Sequence, residues 1–127
     1  MAAAQVLVVE DNPRNMKLVR DVLEASGYRT LEAETGEAAV ELARAHGPSL
    51  VLMDVQLPGI GGEAALAALR RDEETAAIPV VALTAQAMQG DRERFLDAGF
   101  DGYLAKPVDI AELVAAVRTY CGGAAPP

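Results

Sequence analysis

Five polar side chains in this chain stand where apolar, strand-like runs end. Glu10 and Asp11 follow Gln5-Val6-Leu7-Val8-Val9, Asp54 follows Leu52-Met53, Thr84 follows Val80-Val81-Ala82-Leu83, and Lys106 follows Leu104-Ala105. If they share one cleft, their types define a chemistry. Carboxylates at ~4 Å repel by about 4 kcal/mol per pair at an effective dielectric near 20, so cations must sit among them. Lys106 supplies one positive charge, and a hard divalent cation with oxygen ligands supplies the rest. Mg²⁺ suits a site of few carboxylates that keeps waters and a phosphoryl oxygen, with Mn²⁺ as the substitute. In such a site Asp54 is the candidate nucleophile of phosphoryl transfer, forming an aspartyl-phosphate, while cations and hydrogen-bond donors offset charge on the transferring group. Thr84 offers a hydroxyl, Lys106 a counter-charge, and the small Ala85 leaves the site open. Taken singly, Glu10-Asp11 reads as a solvated turn and Asp54 as the start of a loop. Jointly, matched chemistry at four strand ends reads as a site.

The elements that must position these residues alternate. Five β-rich runs, near 5–9, 29–33, 49–53, 79–83 and 101–105, are separated by helical segments, the βα pattern of an α/β fold. The first, third and fourth runs are almost continuously apolar, as parallel strands buried on both faces are, and are expected at the centre of the sheet. Asn12-Pro13 is an N-cap with proline at the first helical position, and Asp109 with Glu112 resembles a capping box. Met16, Val19, Val22 and Leu23 give the first helix one apolar face, and Ile110, Leu113, Val114 and Val117 do the same for the last. The segment 87–98 is a weaker helix, because Gln89, Gly90 and Asp91 interrupt its pattern and an interior glycine costs about 1 kcal/mol. In open parallel sheets ligands bind beyond the C-terminal strand ends, where all the candidates lie.

Composition narrows the partners. The 127 residues, 51% of them hydrophobic, suffice for one domain, expected over 1–121, with Gly122-Gly123-Ala124-Ala125-Pro126-Pro127 as a flexible tail over 122–127. The longest apolar stretches are strand-sized, far below the roughly 20 residues of a membrane-spanning helix. No basic segment precedes a long apolar one at the N-terminus, so a cytoplasmic location is expected. The lone Cys121 has no internal disulfide partner and reads as a helix-end residue. A net charge of −8 disfavours direct binding to nucleic acid and to anionic lipid.

Four segments in order resemble the receiver domains of bacterial response regulators: Val8-Val9-Glu10-Asp11-Asn12, Leu52-Met53-Asp54-Val55-Gln56-Leu57-Pro58-Gly59, Ala82-Leu83-Thr84-Ala85 and Tyr103-Leu104-Ala105-Lys106-Pro107. The segments 10–18 and 87–94 look most like single-domain regulators of the DivK type, and also like receivers fused to hybrid histidine kinases. The resemblance implies a flavodoxin-like, doubly wound (βα)5 fold with a parallel five-stranded sheet in the order 2-1-3-4-5, an order taken from receiver proteins such as CheY and not from this sequence. It implies that Asp54 is the phosphoacceptor, that Asp11 and Asp54 ligate Mg²⁺ directly, that Glu10 acts through water, and that the Gln56 backbone carbonyl completes the protein ligands. The Lys106–Pro107 bond is implied to be cis. Thr84 and Tyr103 are implied to move together on phosphorylation and to alter the face built from the fourth helix, fifth strand and fifth helix. Gln56, Ala85 and Gln86 are implied to occupy positions that tune the lifetime of the phosphoryl group. The implied partners are a histidine kinase or histidine phosphotransfer protein and a downstream regulatory protein on that face.

Competing readings have specific obstacles. An aspartate-nucleophile phosphatase acting on outside substrates needs a second acid near Asp54, and Gln56 stands two residues on where such enzymes carry Asp. A flavin would bring its phosphate to the acidic Glu10-Asp11 pair. Gly59, Gly61 and Gly62 lack the lysine and spacing of a phosphate-binding loop. His46, near the end of the second helix, favourably meets the helix dipole and reads as structural, and Tyr103 as a static aromatic is the simpler alternative to a moving one.

Overall fold

Strands form where apolar and β-branched residues run on, and helices form where a polar cap opens a spaced apolar pattern. The structure, a computed structural model, describes residues 4–57, 59–85 and 89–121, with the side chains of 89–92 excepted. The elements in chain order are β1 (Gln5–Val9), α1 (Pro13–Ala25), β2 (Arg29–Ala33), α2 (Gly36–His46), β3 (Leu50–Asp54), α3 (Gly61–Arg71), β4 (Val80–Thr84), α4 (Gln89–Ala98), β5 (Gly102–Ala105) and α5 (Ile110–Tyr120). The strands make one parallel sheet in the order β2-β1-β3-β4-β5. This is the flavodoxin-like, doubly wound arrangement.

Alternation along each strand divides the core in two. Val6, Val8, Leu50, Leu52, Val81 and Leu83 face Met16, Val19 and Leu23 of α1 and Leu113 and Val117 of α5. Leu7, Val9, Val51, Met53, Val80 and Ala82 face Ala39 and Ala43 of α2, Leu66 and Leu69 of α3, and Phe95 of α4. Because β1, β3 and β4 are covered on both sides, they are the near-continuous apolar runs, and they hold the three central places. The reversal of winding falls between β1 and β3, so their C-terminal ends border one crevice.

The caps behave as the sequence leads one to expect. Asn12 Oδ1 accepts from the Arg14 and Asn15 amides at 2.9 and 3.3 Å, with Pro13 opening α1. Asp109 Oδ1 accepts from the Glu112 amide at 3.0 Å, which is half of a capping box. Five strand boundaries differ from the sequence reading. The starts of β3 and β4 fall one residue later, at Leu50 and Val80. β3 and β4 each run one residue further, pairing Asp54 with Leu83 and Thr84 with Ala105, because a neighbouring strand continues beside them. β5 begins one residue later, at Gly102.

Ile110 is a correction to the apolar face expected of the last helix: at the first position of α5 it is 55% exposed, while Leu113 and Val117, one and two turns on, carry the packing. The weak segment is helical over Gln89–Ala98, and residues 87 and 88 lie outside the described residues. Its anchor is Phe95, fully buried and set edge-on to Phe100 with ring centroids 6.0 Å apart.

At the end of the sheet opposite the crevice, the Arg70 guanidinium donates to the carbonyls of Ala76, Ile78 and Gly99 at 3.0, 2.7 and 3.0 Å and to the Asp101 carboxylate at 2.8 Å. Asp101 also accepts from the Val80 amide at 2.8 Å, and its carbonyl accepts from the Tyr120 hydroxyl at 2.8 Å. α3, the C-terminus of α4 and the starts of β4 and β5 are thereby tied together there. Among the described residues no helix is long and apolar enough to cross a membrane.

Candidate functional site

Each candidate is placed by a strand end. The Glu10 amide donates to Ala33 O at 3.0 Å, extending the β1–β2 ladder one step past β1. Asp54 and Thr84 are the last rungs of β3 and β4. The Lys106 amide donates to Thr84 O at 2.8 Å, which carries the β4–β5 pairing one residue beyond β5. Glu10, Asp54 and Thr84 are almost fully enclosed, at 1%, 3% and 2% exposure, whereas Asp11 faces solvent.

Lys106 Nζ lies 2.8 Å from Asp54 Oδ2 and 2.8 Å from Glu10 Oε1. The other oxygen of each buried carboxylate takes a backbone amide two residues downstream. Asn12 N donates to Glu10 Oε2 at 3.1 Å, and Gln56 N donates to Asp54 Oδ1 at 2.9 Å. Such local turns fix a short acidic side chain at low entropic cost. Burial pulls the Lys106 pKa down, but contacts with Asp54 and Glu10 and their charges outweigh it, so the pKa is raised and the side chain stays an ammonium.

One oxygen from each of Glu10, Asp11 and Asp54 falls within 4.8 Å of the others. Two observations test whether a hard divalent cation suits this group. Glu10 Oε1 is buried with the Lys106 ammonium 2.8 Å away, and a carboxylate oxygen has a second lone pair, so it retains acceptor capacity. The donors are all carboxylate oxygens with Asp11 open to water, the set that Mg²⁺ takes when it keeps part of its hydration. The residues fit.

The remaining candidates are arranged around this centre. Thr84 is buried directly beside the exposed Ala85, and Gln56 is exposed two residues beyond Asp54. Tyr103 pairs with Ala82 in the sheet and is half-buried against the core that α2, α3 and α4 cover. The Lys106–Pro107 peptide is cis. Gln86 lies outside the described residues. Asn12 and Gln56 as amide donors to the acidic groups were not read from the sequence, although the two-residue spacing from each carboxylate is the signal for them. The sequence shows Gly62 only as part of a possible phosphate-binding loop, which its surroundings do not match. Its relation to Asp54 is tertiary: a Cβ built there would lie 2.5 Å from the Asp54 carbonyl oxygen.

Comparison with known proteins agrees with this geometry. The family model described as the response regulator receiver domain matches residues 6–118. The polar-differentiation response regulator DivK of Brucella ovis is 46% identical over 119 residues, covering 94% of this chain and 97% of DivK. The receiver domain of a sensor histidine kinase from Pseudomonas aeruginosa, solved with a magnesium ion coordinated in its active-site cleft, superposes with a TM-score of 0.88. It is 40% identical over 95% of this chain and 99% of that one. Chemotaxis protein CheY4 of Vibrio cholerae, 24% identical over 94% of this chain and 99% of its own, shares the fold with a TM-score of 0.87. A sheet ordered 2-1-3-4-5 with acidic residues gathered at its reversal point is thus accompanied by sequence likeness along nearly the whole length, and the chain belongs to the response regulator receiver domain family.

Proposed function

We propose that this chain is a phosphoacceptor switch in which Asp54 receives a phosphoryl group from a partner's phosphohistidine. The observation that carries the reading is the enclosed Asp54 carboxylate, held between the Lys106 ammonium and the Gln56 amide within 4.8 Å of acidic oxygens from Glu10 and Asp11. In the transfer, an Asp54 oxygen forms a bond to phosphorus while the P–N bond of the donor breaks. The electron pair leaves with the imidazole, which takes up a proton. Asp11, Asp54 and the Gln56 carbonyl would hold Mg²⁺ or Mn²⁺, with Glu10 acting through water. The metal, when bound, offsets charge on the phosphoryl oxygens.

The protein's own groups do the rest. The amide of Gln56 keeps Asp54 oriented, and burial excludes competing water. Lys106 can pass from the carboxylate to a phosphoryl oxygen, and the Thr84 hydroxyl can donate to another. Tyr103 follows Thr84, and the surface of α4, β5 and α5 shifts between two populated arrangements with different affinity for a downstream regulatory protein. Gln56, Ala85 and Gln86 tune the lifetime of the adduct. Gln56 offers no acid for a leaving alcohol, which favours a switch that assists only its own phosphorylation and dephosphorylation over an aspartate-nucleophile phosphatase. The 46% identity to DivK, over 97% of that protein, supports a regulator of the DivK type, with a receiver cut from a hybrid kinase as the alternative. The reading further takes residues 1–121 as the domain and 122–127 as a tail. It places the protein in the cytoplasm, with a histidine kinase or phosphotransfer protein as donor and no nucleic acid as direct partner.

Phosphotransfer profiling tests the proposal. Autophosphorylated histidine-kinase cores from the same genome are mixed with the chain and Mg²⁺, and label is expected to leave one kinase histidine rapidly for the chain. Failure to take label from any phosphohistidine donor, or repeated turnover of a phosphomonoester, would contradict it.

A further inference from the structure

Gly62 lies in the first turn of α3 and is not among the glycines with positive φ, unlike Gly59 and Gly61 just before it. Its backbone therefore gives no reason for glycine, which is a net cost in a helix. The reason is spatial. A Cβ at Gly62 would stand 2.5 Å from the Asp54 carbonyl oxygen and 2.9 Å from Val55 Cα, both backbone atoms that cannot rotate away. The Gly62 amide donates to Val55 O at 3.2 Å, so this turn of α3 lies directly on the backbone that ends β3.

A second close approach supports the same segment from α2. A Cβ at Gly36 would meet Ile60 Cγ1 at 2.8 Å and Ala65 Cβ at 3.1 Å. Gly62 thus lies against the Asp54–Val55 backbone, and Gly36 against the Ile60 side chain.

We infer that Gly62 is a positioning residue for the phosphoacceptor: its missing side chain lets α3 press on the Asp54–Val55 backbone and so fixes the Asp54 carboxylate and the Gln56 backbone. The inference rests on Asp54 being the phosphoacceptor. Restoring an ordinary contact of 3.4 Å after adding a methyl group requires about 0.9 Å of movement. A misplacement of ~1 Å can cost about 10²-fold in rate.

The test compares wild type, Gly62→Ala, Gly36→Ala and Leu69→Val, the last a core change at the far end of α3. Each is phosphorylated with acetyl phosphate at saturating Mg²⁺, and its melting is followed by circular dichroism. Gly62→Ala is expected to be labelled about 10- to 100-fold more slowly. Gly36→Ala, which pushes on the Ile60 and Ala65 side chains and not on the Asp54 backbone, is expected to lose less, and Leu69→Val should keep the wild-type rate despite a lower melting temperature. A variant that melts below the assay temperature is measured cold in trimethylamine oxide, which favours the compact state. Wild-type rates in whichever glycine variants are folded, or an equal loss in Leu69→Val, would overturn the inference. An unlabelled wild type would instead overturn the phosphoacceptor reading itself.

Discussion

Lys106→Met is expected to lower the stability of the metal-free protein by about 3 kcal/mol and to make most of that loss recoverable with Mg²⁺. In the folded chain the Lys106 ammonium is the cation paired with both enclosed carboxylates, at 2.8 Å from each, and its own side chain is only 18% exposed. Removing one partner of a buried pair leaves charge uncompensated, which costs about 3–5 kcal/mol. Partial exposure puts this case at the lower end. A divalent cation brought among Glu10, Asp11 and Asp54 replaces the missing charge. Because a ligand that binds only the folded state stabilises it by mass action, the variant should gain more from Mg²⁺ than wild type does. Urea unfolding in EDTA and at saturating Mg²⁺ measures both quantities. Equal stability of variant and wild type in EDTA would mean that the lysine does not neutralise the pair.

Asp11→Asn is expected to do the converse, weakening Mg²⁺ binding at least about 10-fold while leaving the metal-free protein no less stable than wild type. Asp11 is exposed, so no packing is lost, yet one of its oxygens lies within 4.8 Å of those of Glu10 and Asp54. Its negative charge is therefore unfavourable to the apo protein and useful only when a cation arrives. Titration calorimetry with Mg²⁺ reads the affinity directly. An unchanged affinity in a folded Asp11→Asn protein would remove this residue from the metal site.

The two substitutions separate parts that the sequence had already brought near each other. Repulsion among three carboxylates demanded a cation, and Lys106 does lie between Glu10 and Asp54. The central strands were legible because burial on both faces leaves continuous apolar runs such as Val80-Val81-Ala82-Leu83. The start of α1 was legible because Asn12-Pro13 is a local signal. The strand order was not, since hydrophobic runs state that a strand is buried but not which strand lies beside it.

Ile110 matched the helical spacing yet is exposed, because spacing does not reveal how far the cover over a helix extends. Arg70 and Gly62 were invisible for a related reason. One gathers carbonyls from two loops far apart in sequence, and the other matters through atoms that are not on its own helix.

The most direct measurement is intact mass followed by peptide mapping after incubation with acetyl phosphate and Mg²⁺. A single phosphoryl adduct mapping to Asp54, absent without the metal and absent from Asp54→Ala, is the predicted result. A wild-type protein that stays unmodified, or an adduct that Asp54→Ala retains, would contradict the account.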